Sequence, residues 1–171
     1  VMVGEIRDKE TAEIAIQASL TGHLVLSTVH TNSAVNAITR LRDMGIEPYL
    51  LSSSLVYVLS QRLVRCLCEK CKVIDDESSK SKILQKYNVK KPVYKAVGCS
   101  ECENTGFKGR LSIGEFILMD EKISKLIYRS SSENEISEYV FANNKKLFEN
   151  GILTLEEGKT SLSELLRITE E

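Results

Sequence analysis

The chain has no tryptophan, and only 6% of its residues are aromatic. It has no run of about 18 apolar residues, so we expect no transmembrane helix. The first residues lack the basic segment and the cleavage site of a signal peptide, so none is expected. The formal net charge is −1, which gives no indication of a surface for nucleic acid.

The composition that is present is typical of a globular protein. The hydrophobic fraction is 42% and the charged fraction is 27%, both near the average, and this excludes general disorder. The 171 residues suffice for one domain, or for a domain with an appendage.

Residues 1–64 alternate between patterns of strand and helix. An apolar run ends at Glu5, and Asp8 is placed to cap a helix over residues 9–20. The next run, residues 23–30, is β-rich and apolar enough to be buried on both faces of a sheet. This order predicts a right-handed βαβ crossover and a parallel sheet. Because two strands cannot form a stable parallel sheet, we expect the first strand to be an inner one that has lost its neighbours, and the chain to be a fragment.

Helical patterns dominate the rest of the chain. The expected elements are a helix capped by Asn32-Ser33 and ended by Gly45, a helix from Pro48 to about Val64, a strand over residues 111–119, and helices over residues 121–129, 133–150 and after Ser161. Ser161 and Glu164 fit a capping box. The expected fold class is therefore α/β.

Four of the five cysteines form two Cys-x-x-Cys pairs, Cys68 with Cys71 and Cys99 with Cys102. Each pair lets two thiolates converge on one ion, and two pairs complete a tetrahedral zinc site. No histidine lies near either pair, so a closed, structural site with four cysteine ligands is the simplest interpretation. The fifth cysteine, Cys66, is a spare thiol or a substitute for Cys68. Unrelated reduced thiols, or a redox motif, are the alternatives.

Polar residues follow both strands of the predicted parallel sheet. Functional groups gather at the carboxyl ends of such strands, which here place Glu5 near Thr28 and His30. A carboxylate there can orient water and accept its proton, and a threonine or histidine can contact a γ-phosphate. The alternative for Glu5 is an ordinary surface acid. His23 lies at the opposite end of its strand, where hydrogen bonding around the Thr21-Gly22 turn is the simpler interpretation.

The sequence contains no phosphate-binding loop. Gly158-Lys159-Thr160 imitates the end of one, but the glycine required before it is replaced by Leu153, and no strand is predicted there. If the sheet edge belongs to an ATPase, we expect its phosphate loop to lie upstream of Val1.

A series of motifs resembles the ATPases that drive type II secretion and type IV pilus assembly. In order, they are Val1-Met2-Val3-Gly4-Glu5-Ile6-Arg7-Asp8, which resembles the Walker B segment; residues 21–32, which resemble the histidine box; Gln61-Arg62-Leu63-Val64-Arg65; the four paired cysteines; Gly106-Phe107-Lys108-Gly109-Arg110; and Leu165-Leu166-Arg167-Ile168-Thr169. The resemblance covers essentially the whole chain. The cysteines favour the assembly and export branch (GspE-like and PilB-like proteins) over the retraction motors.

The resemblance implies three parts. They are the C-terminal part of a RecA-like P-loop NTPase domain (residues 1–64), a tetracysteine zinc module (65–110) and a mainly helical C-terminal region (111–171). It also implies a hexameric ring that hydrolyses ATP with Mg²⁺ and moves a platform protein of the inner membrane. Such a protein would be cytoplasmic and held peripherally at the inner face of that membrane.

The resemblance also assigns roles to individual residues. Glu5 would be the catalytic glutamate that polarises water, and His30 would lie near the γ-phosphate. Arg7, His23 and Thr28 would be supporting positions at the nucleotide, and the four paired cysteines would hold structural zinc. Without a phosphate loop, the chain by itself is expected to be inactive.

Two other functions remain open. In one, the zinc module and the helical region form a binding module that docks a secretion or pilus platform partner, and residues 1–64 pack against it. In the other, the cysteines form a zinc ribbon for nucleic acid. Acids such as Glu69 and Glu101 beside the cysteines argue against the second, because they repel phosphate backbones.

Overall fold

The structure, a computed structural model, describes residues 1–169. In chain order its elements are β1 (Met2–Glu5), α1 (Lys9–Leu20), β2 (Leu26–Thr28), α2 (Ala34–Asp43), α3 (Pro48–Ser54), β3 (Tyr57–Leu67), β4 (Val73–Ile74), α4 (Lys82–Lys86), β5 (Tyr94–Lys95), β6 (Phe107–Leu118), α5 (Glu121–Tyr128), α6 (Glu133–Phe141), α7 (Leu147–Glu156) and α8 (Leu162–Thr169). Short 3-10 turns lie at Ser78–Lys80 and Ser100–Cys102. Within the described residues, no helix has both the length and the apolar character needed to cross a bilayer.

The chain divides into two compact units. The first combines Val1–Ser60 with Phe116–Asn144, and the second combines Gln61–Glu115 with the described residues from Lys145 onward. Each unit has its own aliphatic core. The division by motif into residues 1–64, 65–110 and 111–171 is a different one, and it stays a prediction.

The first unit contains the predicted parallel strands. β1 and β2 are parallel neighbours, joined through α1. Asp8 caps α1 as predicted, since its Oδ1 accepts a hydrogen bond from the Thr11 N–H at 2.8 Å. Ser33 caps α2 in the same way, through a bond of 3.0 Å from the Asn36 N–H. These caps fix where the helices begin, and so they fix the length of the loops that follow β1 and β2.

The prediction that residues 23–30 are a strand buried on both faces was wrong. β2 is limited to Leu26–Thr28, and the residues Leu24 and Leu26 are 71% and 56% exposed. Among the described residues the sheet has only β1 and β2, so nothing in them covers both faces of β2.

The predicted helix from Pro48 to about Val64 was also wrong in its second half. α3 ends at Ser54, and β3 begins at Tyr57. The leucines at positions 51, 55, 59 and 63 are four residues apart, which satisfies both a helical face and the two-residue period of a strand. The β-prone run of residues 56–58 favours a strand, and the pairing of β3 with β6 forms it.

The predicted helix over residues 133–150 is two helices. α6 ends at Phe141, and α7 begins at Leu147. The side chain of Glu149 accepts the Lys146 N–H at 2.9 Å, which starts the second helix with a local cap. The intervening segment contains Asn143-Asn144, a residue type that favours turns and caps over helix interiors.

Candidate active site and metal centre

The first candidate site lies at the carboxyl ends of β1 and β2. Glu5 is the register partner of Thr28. The Oε2 atom of Glu5 lies 2.6 Å from Nη2 of Arg7, and its Oε1 atom lies 3.3 Å from Nε2 of His30. The structure therefore brings together four of the residues that the sequence predicted for this edge: Glu5, Arg7, Thr28 and His30.

The electrostatics of this group keep the glutamate charged. The hydrogen bond from Arg7 lowers the pKa of Glu5, which outweighs the opposing effect of partial desolvation, and the charge of His30 acts in the same direction as Arg7. The Glu5 side chain is 23% exposed, whereas those of Arg7 and His30 are 75% and 89% exposed. The ionised carboxylate can accept a proton from water, and the exposed N–H groups of Arg7 and His30 can donate to an anion.

His23 lies apart from this group. Its Nδ1 atom is 3.3 Å from the Thr21 hydroxyl oxygen and 3.2 Å from the Ala18 carbonyl oxygen. These are the contacts expected of a histidine that closes the turn after α1. Its role at a nucleotide, implied by the resemblance, stays a prediction.

The second candidate site is a cluster of four sulfurs in the second unit. The Sγ atoms of Cys68, Cys71, Cys99 and Cys102 all lie within 4.8 Å of one another. Cys68 follows the end of β3, and Cys99 and Cys102 flank and close a 3-10 turn. The cluster can hold a metal ion. The half-buried Cys66 lies outside the cluster.

Backbone N–H groups point at two of these sulfurs. The N–H groups of Cys99 and Gly106 each donate to Cys102 Sγ at 3.2 Å, and that of Gly98 donates to Cys71 Sγ at 3.3 Å. Burial alone raises the pKa of Cys102, but the backbone donors and the thiols of Cys99 and Cys71 together outweigh it and lower that pKa to about 6. For Cys71 burial dominates and raises the pKa to about 11. Donors to Cys102 favour the thiolate, which is the form that binds metals.

In the second unit, the structure also shows a buried charge that sequence reasoning missed. The Glu164 side chain is fully buried. Its oxygens accept from the Arg65 N–H at 3.1 Å, from Arg65 Nη2 at 2.6 Å, and from Nη2 and Nε of Arg167 at 2.9 and 3.1 Å. The capping pattern with Ser161 concealed this role, and the predicted cap itself is present, since the Ser161 hydroxyl accepts the Glu164 N–H at 3.2 Å.

Comparisons with known proteins agree over the whole chain. A family model described as type II/IV secretion system protein matches residues 1–167. The chain is 49% identical to the type II secretion system ATPase E of Vibrio cholerae and 50% identical to the type II secretion system protein E of Pseudomonas aeruginosa. Both alignments extend over 173 residues and cover 100% of this chain and 34% of the relative. The chain thus spans about a third of the length of the curated relatives it matches.

A solved structure supports the fold. The ATPase DotB of Yersinia pseudotuberculosis is similar with a TM-score of 0.67 at 18% identity, over 99% of this chain and 36% of DotB. The predicted α/β fold class is confirmed, since the chain has the fold of part of DotB, and the four cysteines form one cluster. On the family match over residues 1–167, the chain belongs to the type II/IV secretion system protein family.

Proposed function

We propose that this chain is the C-terminal part of a hexameric ATPase that powers type II protein secretion or type IV pilus assembly. The observation that carries the proposal is the contact of Glu5 with Arg7 and His30 at the carboxyl ends of two paired parallel strands. This is where open α/β sheets place catalytic groups. Family membership supports the proposal, since two of the proteins compared are themselves named as ATPases.

Each residue of the sheet edge has a proposed role in ATP hydrolysis. Glu5, ionised beside Arg7, orients the attacking water and accepts its proton. His30, with its exposed ring, contacts the γ-phosphate. Arg7 and Thr28 support the nucleotide site from the same edge, and His23 supports it from the turn after α1. ATP and Mg²⁺ are the proposed cofactors, and Mg²⁺ supplies charge neutralisation at the phosphates when bound.

The proposal extends to the surroundings of the protein. Because the sequence contains no phosphate-binding loop, we propose that the chain by itself does not hydrolyse ATP. The protein that contains it assembles with copies of itself in a ring, and it drives a platform protein of the inner membrane. It works in the cytoplasm and reaches the membrane surface through that partner.

Zinc is the proposed metal of the four-sulfur cluster. A tetrahedral ion with zinc–sulfur bonds of about 2.3 Å has sulfurs about 3.8 Å apart. The observed distances are 3.9 Å between Cys68 and Cys99, 3.8 Å between Cys71 and Cys102, and 3.8 Å between Cys99 and Cys102. With four thiolates the coordination is closed, so the ion has a structural role and takes no part in hydrolysis.

The proposal is tested by ATP turnover of the full-length protein that contains this chain. Glu5→Gln removes the proton acceptor with little change in shape, and we expect turnover to fall by about 10²-fold or more. Glu10→Gln, an exposed change of the same kind on α1, should leave turnover unchanged. Full activity of Glu5→Gln, or ATP turnover by the chain alone, would overturn the proposal.

A second candidate function is a zinc-containing module that docks the platform partner. The observation that favours it is the direct attachment of the first cysteine pair to the turn between α7 and α8. The Leu67 N–H donates to the Lys159 carbonyl at 2.8 Å, and Lys72 Nζ donates to the Gly158 carbonyl at 2.9 Å. These bonds join the segment that carries the first cysteine pair to the turn between α7 and α8. The residues encoded before Val1 discriminate the two functions, because a glycine-rich loop ending in Gly-Lys-Ser or Gly-Lys-Thr decides for the ATPase.

A further inference from the structure

The pairing of β1 with β2 contains one extra residue on β1. Met2 pairs with Leu26 and Glu5 pairs with Thr28, so three residue steps on β1 lie beside two on β2. The parallel pairing is regular on both sides of this shift. The Leu26 N–H donates to the Val1 carbonyl at 2.9 Å, and the Ile6 N–H donates to the Thr28 carbonyl at 2.8 Å. The irregularity is therefore a β-bulge at Val3-Gly4, immediately before Glu5.

The bulge changes the face of the sheet on which Glu5 lies. Paired residues share a face, and Leu26 shares a face with Thr28 because they are two positions apart. Met2 and Glu5 therefore also share that face, although they are an odd number of positions apart. In a regular β1 the Glu5 side chain would point to the other face, because a shift of one residue exchanges the two faces of a strand. It would then be turned away from Thr28 and lose the approach to His30.

One side chain ties the bulge to β2. The hydroxyl of Ser27 donates to the Gly4 carbonyl oxygen at 2.5 Å. Ser27 is the residue between the two paired positions of β2, so it lies opposite the extra residue of β1. Its hydroxyl supplies a donor to a carbonyl inside the bulge, where the regular ladder is interrupted.

We propose that Ser27 is a positioning residue, whose hydroxyl holds the Gly4 bulge and thereby keeps Glu5 on the face that carries Thr28 and His30. The inference rests on the proposed function, because Glu5 is the proposed catalytic carboxylate. In this role Ser27 acts through the main chain of β1, by its hydrogen bond to the Gly4 carbonyl oxygen.

The first test is made by NMR on the 171-residue chain. In Ser27→Ala, the titration of the Glu5 carboxyl carbon should move up, because the carboxylate turns away from His30, whose charge lowers the pKa of Glu5. Ser27→Thr keeps a hydroxyl and should retain the low titration. Ser53→Ala removes a different serine hydroxyl, which donates to the Tyr49 carbonyl at 2.7 Å, and should change nothing at Glu5. An unchanged Glu5 titration in folded Ser27→Ala, or a Ser27→Thr that behaves like alanine, would overturn the inference.

The second test is ATP turnover of the full-length protein. Ser27→Ala should lower kcat by about tenfold or more and leave KM for ATP within about twofold, because a misaligned catalytic group weakens the chemical step more than binding. Ser27→Thr should restore kcat. If Ser27→Ala shifts the Glu5 titration while kcat stays at the wild-type value, the positioning role stands and the proposed role of Glu5 in hydrolysis fails. If neither measurement moves, the positioning role fails while the ATPase proposal stands.

Discussion

The buried carboxylate of Glu164 provides a quantitative test of how the second unit is held together. Burial disfavours its charged form, but the hydrogen bonds from Arg167 and Arg65 outweigh burial and lower the pKa of Glu164 to about 2. The ordinary value is 4.5. At about 1.4 kcal/mol for each unit, this difference corresponds to about 3 kcal/mol of stability at neutral pH. We expect Glu164→Gln to lower the free energy of unfolding of the second unit by about that amount.

The effect should depend on pH in a defined direction. A carboxyl whose pKa is lower in the folded chain stabilises it fully above the unfolded pKa, and loses that contribution as the pH falls toward the folded pKa. The difference between wild type and Glu164→Gln should therefore be largest at neutral pH. It should shrink between about pH 5 and about pH 2.

The measurement must report on the second unit, since two compact units need not unfold together. We would follow urea unfolding through the amide NMR signals of Leu67 and Leu165. The Leu67 N–H is bonded to the Lys159 carbonyl, and the side chain of Leu165 is fully buried. Both signals therefore disappear only when the core of this unit opens.

An exposed glutamate in the same unit supplies the control. Glu157 forms an ion pair with Lys159 at 2.7 Å, and its side chain is 53% exposed. Glu157→Gln should change the free energy of unfolding by less than about 1 kcal/mol, as exposed ion pairs do. The reasoning fails if Glu164→Gln costs no more than this control, or if its cost is the same at about pH 2 as at neutral pH.

Two further changes test the metal cluster and the helical core. Cys99→Ser should lower bound zinc well below about one ion per chain and unfold the cysteine module, as measured by metal analysis and NMR. The control variant Cys66→Ser should keep its zinc. Normal zinc content in Cys99→Ser would contradict the ligand assignment. In Gly151→Ala, the new methyl group would lie 2.2 Å from Cδ1 of Leu165. We expect this overpacking to lower the free energy of unfolding by about 1–3 kcal/mol in the same urea assay, and an unchanged value would show that the Leu165 side chain moves aside freely.

Local chemistry made part of the fold predictable. The caps formed by Asp8 and Ser33 depend on hydrogen bonds between residues only three positions apart, so the sequence pattern predicts them. The same is true within each cysteine pair. That the two pairs meet was expected only because a tetrahedral ion needs four ligands, and the sulfur cluster confirms it.

Some predictions were wrong or incomplete because a residue pattern in the sequence is compatible with two structures or two roles. The four-residue spacing of leucines through residues 51–63 fits a helix and a strand equally, and the pairing of β3 with β6 decides between them. That partner lies far along the chain, so no local signal identifies it. The role of Glu164 was concealed in the same manner, because a capping pattern already accounts for this residue and Arg65 lies 99 positions away in the chain.

The sequence by itself determined the identity of the chemical groups at each site: a glutamate after an apolar strand, a histidine after the next strand, and four cysteines in two pairs. The tertiary structure decided which of these groups meet, and it brought Glu5 into contact with Arg7 and His30. It also decided on which face of the sheet Glu5 lies, because the pairing of β1 with β2 contains one extra residue on β1. The physical reason is that the sequence states the residue type at each position, whereas register, burial and ion pairs depend on partners distant in the chain.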